Sequence, residues 1–98
     1  MTEPEGRPGP YSSADVAAYA AALFPGEPPE AILDLLNQYG SEPHERERER
    51  VQLAILFLGQ AGRDELAHFL ARAKADYRDV LLWAEHDREG RRRIPYRW

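Results

Sequence analysis

Residues 63–89, RDELAHFLARAKADYRDVLLWAEHDRE, run for 27 positions without a glycine or a proline. Apolar side chains recur within that run at Leu66, Phe69, Leu70, Ala73, Tyr77, Val80, Leu81 and Ala84. Advancing about 100° per residue from Leu66, all eight fall within about 60° of one line, so the spacing predicts one long helix laying a single stripe on a core. The far end departs from that pattern, because Leu82 falls at about 160° and Trp83 at about 260°, outside the stripe. Leu82 shares the back face with Ala71 and Ala75, small residues that let another element approach closely. A large apolar side chain facing away from the core needs a second partner, so this end of the helix is the candidate interaction surface.

Upstream, the punctuation predicts three more helices. Ser12 or Ser13 offers an N-cap for a short helix over about 13–24, stopped by Pro25 and Gly26. Pro28 and Pro29 suit the first turn of a second helix, which carries Ile32, Leu33, Leu35, Leu36 and Tyr39 and ends at Gly40. Ser41 is the expected cap of a third, with Pro43 in its first turn, running to about Leu58. Its first half, His44–Arg50 (HERERER), is polar throughout, and its second half, from Val51 to Leu58, is apolar over a wide arc. The connection Gly59–Gly62 is short enough to set the long fourth helix antiparallel to the third. No stretch alternates with a period of two, so strands are not expected.

The chain has 98 residues and no cysteine, room for one domain without disulfides, thiolate metal sites or thiol nucleophiles. The expected organisation is an arm over 1–10, rich in proline and glycine, a helical domain over 11–88 and a basic, aromatic tail over 89–98. No apolar run approaches the ~18 to 20 residues that span a bilayer, and residues 1–10 lack the apolar segment of a leader, so a soluble cytoplasmic protein without membrane contact is expected. The net charge of −4 is divided unevenly. Residues 1–87 hold 8 basic and 16 acidic side chains, a balance of −8, whereas residues 88–98 hold 5 arginines and 1 glutamate, a balance of +4.

Each motif with chemical potential has a plainer explanation. In HERERER, Glu45, Glu47 and Glu49 cancel Arg46, Arg48 and Arg50, and a neutral patch does not hold phosphates; a solvated helix face with short-range ion pairs is the expected role. Glu65 and His68 match the Glu-x-x-His pair of carboxylate-bridged di-iron bundles, which suggests a dimeric ferritin-like metal-binding bundle as an alternative. Yet His68, at about 200°, points away from the stripe, and Leu53 and Phe57 would stand opposite the pair across a hairpin. Thr2, Ser12, Ser13 and Ser41 are the only hydroxyls of Ser/Thr type, and the three serines are accounted for as caps. His44, His68 and His86 are scattered; the last two would lie about 27 Å apart on one helix. No catalytic residue, cofactor site or metal site is therefore expected.

The tail carries Ile94, Tyr96 and Trp98 among Arg91, Arg92, Arg93 and Arg97. Folded back, its three large apolar side chains would cover Leu82 and Trp83. Left free, its arginines and aromatics suit a nucleic-acid-binding tail, an alternative that the acidic body opposes.

The stretches Glu49–Leu58 (ERVQLAILFL) and Ala73–Glu85 (AKADYRDVLLWAE) resemble a family of short bacterial all-helical proteins with no assigned function. The resemblance covers about the last half of the chain and implies a recurring helical unit, without activity, cofactor or binding residues. The sequence thus predicts an all-α domain of four helices with a long C-terminal helix. Its expected role is to bind another protein or a second copy of itself through Ala71, Ala75, Leu82, Trp83, Ile94, Tyr96 and Trp98.

Overall fold

The computed structural model describes residues 10–86, 89–92, 95 and 96. Five helices follow one another: α1 (Ser13–Leu23), α2 (Pro29–Leu36), α3 (Arg48–Leu58), α4 (Arg63–Ala75) and α5 (Tyr77–Glu85). Among the described residues the only β pairing is an isolated antiparallel bridge between His86 and Arg92. The described part of the chain is all-helical, as its periodicity predicts.

α1 begins with a reciprocal cap. Ser12 Oγ accepts the Asp15 N–H at 3.3 Å and Asp15 Oδ2 accepts the Ser12 N–H at 2.9 Å, so two otherwise orphaned donors are satisfied. α2 opens on Pro29, whose fixed φ suits the first turn and whose missing N–H costs nothing there. It ends at Leu36, before the glycine expected to stop it; Gly40, at φ 105°, instead turns the chain sharply.

The third helix starts later than Ser41 and Pro43 suggest. Residues 40–47 are irregular, Glu47 adopts a left-handed conformation (φ 55°), and α3 begins only at Arg48. Its centre is the core of the molecule. Six consecutive residues, Val51–Leu56, are buried, because α3 is flanked by α1, α4 and α5 and has little solvated face left. The buried Gln52 donates to the carbonyls of Leu36 (2.9 Å) and Tyr39 (3.3 Å), tying α3 to the turn that follows α2.

The long fourth helix is two helices. Asp76 is extended (φ −159°, ψ 102°); its N–H closes α4 on the Arg72 carbonyl, and its carboxylate accepts the Arg78 N–H at 3.1 Å to open α5. The turn is sharp. Phe69 and Trp83 would lie about 21 Å apart along a straight helix, yet their ring centroids are 6.3 Å apart. Length explains the break: a straight helix over 63–85 would extend about 34 Å, whereas the 11 residues of α3 offer about 16 Å to pack on. Folding back at Asp76 brings Leu66, Leu70 and Ala73 of α4 and Val80, Leu81 and Ala84 of α5 into the same buried cluster.

α3 and α4 meet closely at Gly59, where an added Cβ would lie 2.8 Å from the Leu66 backbone. Backbone cannot yield as a flexible side chain does. Gly59→Ala should therefore lower stability by about 1–3 kcal/mol, while Gly26→Ala, with nothing within 4 Å of the new Cβ, should be nearly neutral in the same denaturant titration.

Candidate interaction surface

The folded-back α4 and α5 create one apolar feature at the surface. Leu82 and Trp83 are the large hydrophobic side chains left exposed among the described residues, at 54% and 41%. Trp83 is held in place. Its ring stands edge-on to Phe69 at 72°, with the Arg72 guanidinium carbon 5.6 Å from its centroid, a cation–π distance. The His68 ring meets Phe69 in turn at 4.9 Å. Ala71 and Ala75 of α4 are exposed, as the helical wheel places them.

Two buried carboxylates fix the elements beneath this surface. Glu85 of α5 accepts a bidentate pair of hydrogen bonds from the Arg50 guanidinium of α3, one of them at 2.8 Å from Nε, and Arg50 also reaches Glu47. These hydrogen bonds hold the Arg50 guanidinium well above its ordinary pKa against the opposing effect of burial. Glu45 is the second anchor. Its Oε1 accepts the N–H groups of Gly40 (2.8 Å), Ser41 (3.2 Å) and Glu42 (3.4 Å), and its Oε2 receives Lys74 Nζ from α4 at 2.7 Å. Lys74 also donates to the Gln38 carbonyl at 2.8 Å, so the irregular segment is tied to α4 at two points.

The HERERER reading is corrected here. Glu45 is buried rather than part of a solvated face, because Gly40 turns three successive N–H groups toward one carboxylate; Arg50 likewise points inward to Glu85. Neither role has a local signal: Arg50 and Glu85 lie 35 positions apart, and Glu45 and Lys74 lie 29 apart.

An open cavity of about 280 Å³ beside the Asp76 turn is lined by His44, Lys74, Asp76, Tyr77 and Arg78, among others. Both of its permanent cations are already matched. Lys74 sits on Glu45, and Arg78 grips Asp76 with Nε at 3.0 Å and Nη2 at 2.9 Å, lowering the Asp76 pKa. The cavity wall therefore has no unbalanced charge to draw an anion.

The tail divides the predicted site. Tyr96 is buried at 1% exposure, edge-on to Tyr11 (5.7 Å), Tyr19 (5.6 Å) and Phe57 (6.3 Å), and burial raises its hydroxyl pKa. It docks on its own chain, as expected of a tail that folds back, but these ring contacts are with the α1–α3 side of the core and leave Leu82 and Trp83 exposed. The reversal is made by Gly90 (φ 78°) between the bridged residues His86 and Arg92. Ile94 and Trp98 lie outside the described residues. A ring so enclosed cannot stack on a nucleic-acid base. Glu65 and His68 are exposed, and among the described residues no three His, Cys, Asp or Glu side chains stand close enough to hold a metal ion. No described helix is long and apolar enough to cross a membrane.

Compared with protein-family models, curated proteins and solved structures, the chain has no match.

Burial pushes the Glu45 carboxyl upward, but the Lys74 hydrogen bond and the Gly40 and Glu42 N–H groups outweigh it and hold the pKa at about 2, below the ordinary 4.5. A depressed folded-state pKa stabilises above the unfolded value. That contribution should be complete above about pH 4.5 and be lost progressively as pH falls toward 2. In acid titrations followed by circular dichroism, Glu45→Gln should be less stable than wild type at pH 7, by about 2 kcal/mol, and the difference should shrink toward pH 2.

Proposed function

We propose that the protein is a non-catalytic interaction module that presents the Leu82–Trp83 edge of α5 to another protein, on a scaffold in which α4 runs antiparallel to α3. The observation that carries this reading is the exposure of Leu82 and Trp83 on a surface whose neighbouring groups are already fixed. Exposed single leucines are ordinary, but an exposed tryptophan clamped between Phe69 and Arg72 is a rigid aromatic anchor. Such anchors lose little side-chain entropy when a partner arrives. Ala71 and Ala75 add exposed small-residue positions on α4.

Leu82→Asp tests the reading with little risk to the fold, because more than half of the side chain is exposed. The variant should melt within a few degrees of wild type and should fail to retain the proteins that immobilised wild type captures from its native lysate. Equal retention by both would show that this edge is not the interface.

A further inference from the structure

We propose that α5 and the segment following it exchange between two copies of the chain by straightening of the α4–α5 turn at Asp76. The turn is a single residue between two helices, and residues 63–85 contain neither glycine nor proline. Across it the apolar stripe keeps the phase of one continuous helix, from Leu66, Leu70 and Ala73 to Val80, Leu81 and Ala84. The break is therefore not written into the backbone. Locally it is held by the cap that Asp76 forms on the Arg78 N–H and by the Arg78 guanidinium on the same carboxylate, both at the surface.

The buried partners described for α5 and Tyr96 lie upstream of the turn. Glu85 binds Arg50, Val80, Leu81 and Ala84 join the cluster centred on α3, and Tyr96 enters between Tyr11, Tyr19 and Phe57. A second copy offers the same surfaces in the same geometry. Straightening would add helical hydrogen bonds across Asp76 while each α5 docks on the other copy, so the occupant that fits this groove best is another molecule's α5. The inference stands apart from the function proposed above, because Trp83 meets Phe69 and Arg72 in either form, within one chain or between two.

Two experiments test it. Asp76→Ala removes the cap and favours the straight helix; measured by light scattering at equal concentration, it should raise the dimer-to-monomer ratio at least tenfold over wild type. Asp76→Asn preserves a capping side chain and should behave as wild type. An Asp76→Ala protein with the wild-type mass distribution would overturn the proposal. The second experiment exchanges charges: Arg50→Glu and Glu85→Arg chains, each with like charges facing in its own fold, are refolded together. Exchange restores opposite charges at both contacts, so a heterodimer should form at the expense of either species alone. The double variant in one chain is the control. If it folds and the mixed single variants form no heterodimer, exchange is excluded; if it does not fold, the Asp76→Ala measurement decides.

Discussion

The fold-back at Asp76 is the constraint on which the rest of the molecule depends. Residues 63–85 satisfy every local requirement for one helix, and tertiary packing divides them. Leaving Val80 and Leu81 without a partner would cost about 1.5–3 kcal/mol each, and α3 is too short to serve both halves of a straight helix. Turning back at one residue lets a single central helix be covered by both. The consequences run down the chain. Glu85 comes within reach of Arg50, the turn at Gly90 follows, and Tyr96 closes the core against α1.

A core of this size leaves much of the chain without regular structure, and buried charge organises that part. Residues 37–47 contain no helix, and beyond the Glu45 N–H on the Glu42 carbonyl and the Arg46 N–H on the His44 carbonyl several of their backbone groups draw on side chains. Glu45 gathers three N–H groups, Gln52 takes two carbonyls, and the Tyr39 hydroxyl donates to the Arg46 carbonyl at 2.6 Å. A buried carboxylate is tolerable on these terms because its hydrogen bonds and the Lys74 ammonium replace the water it loses. Arg50 and Glu85 use the opposite arrangement, a planar fork matched to a carboxylate. The first pair anchors the irregular segment to α4 and the second anchors α5 to α3.

The helical class, the cap at the start of α1, the proline that opens α2 and the heavily buried stretch Val51–Leu56 were legible from spacing and punctuation, since each is a local property of consecutive residues. Asp76 stands three positions before Asp79, a helix-start pattern that the uninterrupted stripe reading passes over. Nothing local could weigh the two, because the decision rests on the length of α3. Glu45 and Arg50 were misread as solvated for a related reason. Alternating signs along HERERER cancel in a count of charge, while burial depends on which way Gly40 turns the chain. Leu82 and Trp83 were recognisable because they break the period of their own helix. Tyr96 was legible as a docking residue, but its expected place over Leu82 and Trp83 is not the one it takes, since the return at Gly90 carries it to Tyr11, Tyr19 and Phe57.

What the exposed edge can do is bounded by its size. Two apolar side chains fall far short of the ~800 Å² per partner that a standard interface covers, so Leu82 and Trp83 would be the centre of a contact and not its whole. Interfaces of that kind place a rigid aromatic at the middle and surround it with weaker contacts that exclude water. Trp83 has the required rigidity, because Phe69 and Arg72 fix its ring before any partner arrives. That rigidity derives from the same packing that completes the core: α5 laid against an α4 sets Trp83 on both. The surface and the core are thus one device, since the docking of α5 that buries Val80, Leu81 and Ala84 also sets Trp83 on Phe69 and Arg72.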